Sequence, residues 1–450
     1  MVIGLKAKLK IKELSDNVYI LLDPSEGSYL KVNKTGKEVI DFLYEKRKDV
    51  KEIIEAIRLK YNIPYELIED DIKSYINILL EKGFAFDDQL SGSKIKKHEE
   101  NSQGLKNIWI KVTNKCNLKC PYCYADSKKE ENNNFELTII EIEKIFEEVS
   151  QMGLEKIVIT GGEPLLRKDI VDILKIAKKY AQVQLLTNGT VFNEEVLNEV
   201  VKYVDIIQFS IDSPNDIEHN AIRGEDTFSK TLNTVKYIRE LGFKNIVFAT
   251  TPTPSNNVDL ERMVDFSIEN GARRLHVNRY VPLGRANNDD YAKFNIEEFY
   301  RRADDAYTYV SGLYGTAIKD KKSLDFSIDI SGDFVNSVYS IGKKYSCGLN
   351  KSIMSVDSNG DIYLCQAIHS DKLKIGNIRE KNMKSILENS NTCYGCFSVD
   401  NLNKCNECDV KYWCGGGCRA LAYAVNKDIF AQDPHCGSNK KRILDLMGRI

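Results

Sequence analysis

Apolar residues in the first part of the chain recur at every second position and then at every third or fourth. Lys6, Lys8, Lys10 and Lys12 alternate with Leu5, Ala7, Leu9 and Ile11, which predicts a half-buried strand. NVYILL (17–22) and SYLKVN (28–33) predict two more, parted by the turn Asp23-Pro24-Ser25-Glu26-Gly27. Three helices follow. One starts near Thr35 and carries Val39, Ile40, Phe42 and Leu43; one covers 49–60 with Ile53, Ile54, Ile57 and Leu59; one starts near Pro64 with Ile72, Tyr75, Ile76, Leu79 and Leu80 on one face. Phe84 and Phe86 suggest a short closing strand. The segment 87–106, DDQLSGSKIKKHEENSQGLK, is polar and reads as an exposed linker.

From 107 onward strands and helices alternate. The strands are NIWIKVT (107–113), KIVIT (156–160), VQLLT (183–187), DIIQFSI (205–211), NIVFAT (245–250) and RLHVN (274–278), with helical periods at 138–151, 168–180, 193–202, 228–241 and 258–269. Six such units predict an α/β protein with a parallel sheet and right-handed crossovers, open or curled into a partial barrel, with its chemistry at the C-terminal strand ends. Beyond about residue 340 the chain is rich in cysteine and glycine and weakly periodic, as in a small domain held by metal. The expected division is 1–86, a linker 87–106, a barrel 107–310, and a bridging and cysteine-rich region 311–450.

Charge narrows the function. Against 66 Asp+Glu stand 64 Lys+Arg, a net −2, which disfavours binding nucleic acid through bulk positive charge. No apolar run reaches the ~18 residues of a membrane span, and MVIGLKAKLKIKEL has no signal-peptide core, so the cytoplasm is the expected compartment. Twelve cysteines in that compartment predict metal or redox chemistry rather than a disulfide framework.

Cys116, Cys120 and Cys123 stand together in TNKCNLKCPYCYAD, just after the first predicted strand. Three thiolates on one loop suit three irons of a [4Fe–4S] cluster, leaving the fourth iron open to a small molecule. The competing reading is a zinc site completed from a distance, for which this spacing is unusual. CNLKCPYC resembles the C-x3-C-x-aromatic-C signature of the radical S-adenosylmethionine (SAM) enzymes. The resemblance implies their partial (β/α)6 TIM-type barrel. It also implies SAM chelated on the open iron through its amino and carboxylate groups, and a 5′-deoxyadenosyl radical that removes hydrogen from substrate. Thr160-Gly161-Gly162-Glu163-Pro164 resembles the family's glycine-rich segment, which implies that Gly161 and Gly162 let backbone approach SAM and that Glu163 answers its positive charge. Thr187 and Ser210, ending the third and fourth strands, are implied beside the methionyl or ribose part, Arg223 beside the carboxylate, and Tyr122 beside the adenine. Turn and cap chemistry, or core packing for Tyr122, are the alternatives.

Toward the C-terminus, Cys347-x12-Gly360-x4-Cys365 is followed by Cys405-x2-Cys408-x5-Cys414-x3-Cys418 and Cys436. These positions resemble the SPASM extension of some radical SAM enzymes, which implies two auxiliary [4Fe–4S] clusters and three in all. The resemblance gives Cys405, Cys408, Cys414 and Cys436 to an outer cluster, and Cys347, Cys365 and Cys418 to an inner one. The inner set has only three thiols, so its fourth iron is either open or closed by Cys393 or Cys396. A zinc site from Cys393, Cys396, Cys405 and Cys408 is the competing reading. It leaves the other cysteines unexplained.

Three strands, the junction Asn33-Lys34-Thr35-Gly36 and three helices make residues 1–86 similar to the winged-helix-like α+β module that binds leader peptides of ribosomally made, post-translationally modified peptides (the RiPP recognition element). A DNA-binding winged helix is opposed by Glu66, Glu69, Asp70, Asp71 and Glu81 on the third helix. The lysine row at 6–12 reads either as an attractor of an acidic leader or, preferably, as a charge-protected edge strand. Together the resemblances imply a maturase of the sactipeptide and ranthipeptide kind, forming thioether crosslinks in a precursor peptide and supplied with electrons by a donor such as flavodoxin or ferredoxin. Carbon–carbon crosslinking, formylglycine formation and a zinc-dependent adaptor are the alternatives. His98, His219, His276, His369 and His435 form no motif, so no general base is chosen.

Overall fold

The computed structural model describes residues 1–45, 48–87, 104–128, 135–254, 256, 258–286, 288–340, 342–349, 352–390 and 396–449. Most of the expected linker and Cys393 lie outside the described residues.

The N-terminal strands are β1 (Val2–Leu5), β2 (Lys10–Ser15), β3 (Val18–Asp23), β4 (Ser28–Asn33), β5 (Lys48–Asp49) and β6 (Ala85–Asp87). They form two antiparallel sheets, β5-β1-β6 and β2-β3-β4. Helices Lys34–Glu45, Val50–Tyr61 and Tyr65–Glu81 close a core that includes Ile3, Ile40, Ile54, Ile76 and Phe84. The single strand expected through residues 5–12 is broken. The chain turns at Lys8, where φ is 70°, so β1 and β2 join different sheets. The lysines are anchored rather than free: Lys6 reaches the buried Asp23 at 2.6 Å, while Lys10 and Lys12 both reach Asp409, Lys12 at 3.1 Å. Lys10 and Lys12 lie on β2, which among the described residues stands at the edge of its sheet, and both charges also pair with Asp409.

The rest is built on one ten-stranded sheet. Its strands are β7 (Asn107–Lys111), β8 (Lys156–Thr160), β9 (Gln182–Thr187), β10 (Ile206–Ser210), β11 (Ile246–Thr250), β12 (Arg274–Val277), β13 (Ser327–Ile330), β14 (Ile353–Val356), β15 (Asp361–Tyr363) and β16 (Lys374–Asn377). Their order is β13-β12-β11-β10-β9-β8-β7-β14-β15-β16. The pairs from β13 to β14 are parallel, and the last two are antiparallel. The expected count of six parallel strands is therefore short by two. β13 alternates Ser327 and Asp329 with Ile328 and Ile330 and lies in the stretch read as bridging, and β14 joins β7 from far along the chain. Helices Asp216–Arg223, Ile296–Lys319, Met383–Ser390, Arg419–Asn426 and Cys436–Gly448 were not foreseen either.

All five residues of β11 are buried, as expected of a strand covered on both faces. Along β12, Leu275 and Val277 pack into the main core, so alternation turns His276 to the opposite face. The last helix, Cys436–Gly448, sends Ile443, Leu446 and Met447 into the same core as Ile20 and Leu22 of β3. Tyr29 of β4 meets Trp413 edge-on at 6.0 Å. The β2-β3-β4 sheet thus rests on segments that carry C-terminal cysteines. Among the described residues no helix is long and apolar enough to cross a membrane.

Candidate active site

β7 ends at Lys111, and the loop beyond it carries Cys116, Cys120 and Cys123. A hydrogen bond from the Cys116 N–H to the Lys128 carbonyl at 2.9 Å closes the loop on itself. Gly161 and Gly162, just past β8, lie against its backbone. A Cβ on Gly162 would fall 2.2 Å from the Lys115 oxygen, and one on Gly161 would fall 2.7 Å from the Thr113 oxygen. The N–H groups of Gly162 and Glu163 donate to the Thr113 and Lys115 carbonyls at 2.8 and 2.7 Å. These glycines are needed here to dock the cysteine loop on the second strand end.

Glu163 is wholly buried. It accepts from the Leu165 N–H (3.0 Å), the Thr187 hydroxyl (2.8 Å) and the Asn188 N–H (2.7 Å), which ties the ends of β8 and β9 together. Burial pushes its carboxyl up to about 7, with those hydrogen bonds opposing the shift. Asn188 also donates from Nδ2 to Asn117 at 3.0 Å and lies 3.9 Å from the Cys116 sulfur.

On the other side of the loop, Tyr122 and Arg223 form one hydrogen-bonded group with the buried Asp212. The Tyr122 hydroxyl donates to Asp212, and Arg223 donates from Nε to Asp212 and from Nη2 to Tyr122, both at 2.6 Å. Asp212 lies just past β10, whose last residue, Ser210, is half buried. The loop, Glu163, Thr187, Ser210 and Arg223 therefore gather at the C-terminal ends of β7 to β10, where the sequence put them.

Gly284 and Arg285 were not foreseen. Arg285 donates from Nε to the Cys120 carbonyl at 3.0 Å and from Nη1 to the Ser127 carbonyl at 2.6 Å, and its N–H donates to the Cys123 carbonyl at 3.0 Å. Gly284 has φ +63°, and a Cβ there would fall 2.4 Å from the Cys123 oxygen. A backbone clamp of this kind carries no metal-ligating residue type, so the sequence offered no chemical signal for it.

The C-terminal thiols stand in two groups. Cys405, Cys408, Cys414 and Cys436 line one pocket. Cys347, Cys365 and Cys418 pack on one apolar cluster containing Leu349, Leu364, Phe397 and Ala420, and Cys396 directly precedes Phe397. The inner group shares neighbours with the first loop. Tyr122 and Cys418 pack on a shared cluster with Tyr280, Tyr291 and Leu421, and the Tyr124 phenol senses both Cys123 and Cys365.

Four histidines have defined partners: His219 with the Asp212 N–H at 3.3 Å, His276 with Asp329 at 2.9 Å, His369 with Asp357 at 2.9 Å, and His435 with the Tyr291 hydroxyl at 2.5 Å.

Among the described residues, Cys116, Cys120, Cys123, Cys347, Cys365, Cys405, Cys408, Cys414, Cys418 and Cys436 are free thiols. Among the described residues no three His, Cys, Asp or Glu side chains converge closely enough to hold a single metal ion. Sets of three and four thiols fit iron–sulfur cubanes, whose corners each take one thiolate. Burial pushes the Cys116 thiol up to about 11, and the Cys365 and Cys414 thiols up to about 12. Such thiols stay protonated at neutral pH until a metal's charge replaces the proton.

Three family models match the chain. They are the radical SAM superfamily over residues 110–267, coenzyme PQQ synthesis protein D over 19–85, and the SPASM iron–sulfur cluster-binding domain over 347–409. The uncharacterized protein MJ0907 of Methanocaldococcus jannaschii is 30% identical over 306 residues, 65% of this chain and 95% of its own. An AdoMet-dependent heme synthase of Methanosarcina barkeri is 27% identical over 341 residues, 72% of this chain and 94% of its own. The radical SAM cyclopropyl synthase TigE of Paramaledivibacter caminithermalis is 24% identical over 443 residues, 90% of this chain and 86% of its own. Among solved structures, Streptococcus suis SuiB bound to its precursor peptide SuiA superposes with a TM-score of 0.59 at 17% identity, covering 97% of this chain and 99% of that one. At that identity the likeness is one of fold. A radical SAM domain followed by a SPASM domain implies SAM and [4Fe–4S] clusters as cofactors.

Proposed function

We propose that this chain, which belongs to the radical SAM superfamily, forms thioether crosslinks between cysteine sulfur and carbon within a ribosomally made precursor peptide. The observation that carries the reading is the shared apolar cluster on which Tyr122, from the loop of Cys116, Cys120 and Cys123, and Cys418, from the set with Cys347 and Cys365, both pack. When bound, SAM and the reduced first cluster supply a 5′-deoxyadenosyl radical able to take hydrogen from an unactivated carbon.

The protein's own residues do the rest. Cys116, Cys120 and Cys123 would hold the SAM-binding cluster. Glu163 would accept from the SAM ammonium, and Arg223, already fixed by Asp212 and Tyr122, would meet its carboxylate. Cys347, Cys365 and Cys418 would hold the inner auxiliary cluster, and Cys405, Cys408, Cys414 and Cys436 the outer. A fourth position on the inner group would take a donor thiol from the peptide and keep it as thiolate, unless Cys393 or Cys396 fills that position. Holding donor and acceptor beside the radical source converts the coupling into a proximity-driven step.

Residues 1–86 would bind the leader. Among the described residues β4 pairs only with β3, leaving an edge to which an extended peptide adds by main-chain hydrogen bonds. The match to coenzyme PQQ synthesis protein D supports this role, as does the fold shared with SuiB, which was solved with its precursor peptide. A flavodoxin or ferredoxin would deliver the electrons.

The likeness to a cyclopropyl synthase favours a second reading, carbon–carbon bond formation on the same scaffold. One experiment separates the two. Reconstituted enzyme, SAM and reductant are incubated with the precursor encoded beside it. Loss of about two hydrogens per modified cysteine, with those thiols closed to alkylation, is the predicted result. The same mass loss with every thiol still alkylated establishes the second reading instead.

A further inference from the structure

Arg279 lies two residues past β12 and plays no part in the reading above. Its side chain is 7% exposed. Its Nε and Nη2 groups nevertheless find no hydrogen-bond acceptor among the described residues. The anion beside it is Asp433, whose Oδ1 lies 3.6 Å from Nη2, close enough for charge pairing and too far for a hydrogen bond. A buried guanidinium with two donors unmet is costly, and it implies an acceptor that the polypeptide does not itself supply.

Asp433 shows where that acceptor belongs. Its Oδ2 accepts from the Cys418 N–H at 2.7 Å, and its carbonyl accepts from the Cys436 N–H at 2.9 Å. A Cβ on Gly417 would fall 2.5 Å from Oδ2, so the carboxylate lies flat against the Gly417–Cys418 peptide. The pair therefore stands at the seam of the two C-terminal thiol groups, with one cysteine of each hydrogen-bonded to Asp433. The cation belongs to the inner side: the carboxylate it faces is the one that accepts from the Cys418 N–H, and Arg279 is not among the residues lining the pocket of Cys405, Cys408, Cys414 and Cys436.

We propose that Arg279 is the positioning counter-charge of the iron–sulfur group held by Cys347, Cys365 and Cys418, with its two unmet N–H groups donating to that group's sulfur atoms. The inference rests on those cysteines being cluster ligands. A [4Fe–4S] group with thiolate ligands is an anion, and reduction makes it more negative. A fixed cation and N–H···S hydrogen bonds both favour the reduced form, so Arg279 holds the inner group at a higher potential than a neutral residue would. Arginine suits the task because its rigid fork presents two donors from one charge.

The test is a potentiometric titration followed by electron paramagnetic resonance on the full chain carrying C116A, C120A and C123A, in which only the auxiliary groups remain. Adding R279Q is predicted to move one auxiliary couple to lower potential and leave the other in place. R279K, which keeps the charge and loses the fork, moves the same couple by less. Iron and sulfide counts on each sample separate a changed potential from a lost cluster. If R279Q sheds the inner group, the R279K titration decides. Unchanged couples in R279Q at full iron content overturn the proposal, as does an unchanged couple in R279K where R279Q has lost its iron. Parent material with no auxiliary iron overturns the cluster assignment itself, whatever Arg279 does.

Discussion

Single residues carry two predictions. Gly284 has room for no side chain: its Cβ would meet the Cys123 and Tyr124 oxygens at 2.4 and 2.5 Å. G284A must push the cysteine loop by about 1 Å, a displacement that costs ~100-fold in rate when the reacting groups move. Formation of 5′-deoxyadenosine should fall by about that factor, and a rate within about twofold of wild type contradicts the clamp. His219 predicts a pH dependence. Its ring is fully buried, with Nδ1 accepting from the Asp212 N–H at 3.3 Å and no partner at Nε2 among the described residues. Burial lowers it from 6.5 to about 4. The fold binds this proton less readily than the unfolded chain, so its contribution is intact above pH 6.5 and is lost as pH falls toward 4, on the order of 3 kcal/mol. H219Q should flatten that part of the urea-midpoint profile, and an unchanged slope would show that another group titrates there. At this scale the sequence revealed the thiols, because cysteine spacing reports chemistry directly. It did not reveal Asp212, Asn188, Gly284 or Arg285, whose roles are hydrogen bonds and close approaches made across the fold.

Between elements, the contact that most repays attention joins the N-terminal sheet to the cysteine-rich end. Asp409, next to Cys408, is buried and receives Lys10, Lys12 at 3.1 Å and Lys440 at 3.5 Å. The lysines are partly exposed, which limits the net worth of the cluster to about 1 kcal/mol. D409N should therefore loosen residues 1–86, read as about fivefold faster native-state proteolysis within them, with iron content preserved. No change in that rate would mean that Ile20 and Leu22, packed with the Cys436–Gly448 helix, hold the module alone. Helices were legible from periodicity: 138–151 corresponds to Ile139–Ser150, where Thr138 and Glu141 form a capping box. Strand partners were not. The Lys-apolar alternation over 5–12 spans a turn between two sheets, and a period of two is the same on either side of it. β14 pairs with β7 across more than two hundred residues, a distance over which local pattern carries no information.

For the whole molecule, one sheet connects the radical SAM core to the SPASM region, since β14 to β16 extend it beyond β7. Residues 1–86 pack against segments next to Cys408, Cys414 and Cys436, and the first cysteine loop shares an apolar cluster with Cys418 of the inner group. In the proposed function, a peptide held at one end by residues 1–86 would be presented at the other to these thiol sets. The account stands on those sets binding iron, and metal and sulfide analysis of anaerobically reconstituted protein tests it most directly. About twelve iron and twelve sulfide per chain are predicted, falling by about a third in C116A/C120A/C123A. One or two zinc per chain, with no iron or sulfide, would contradict it.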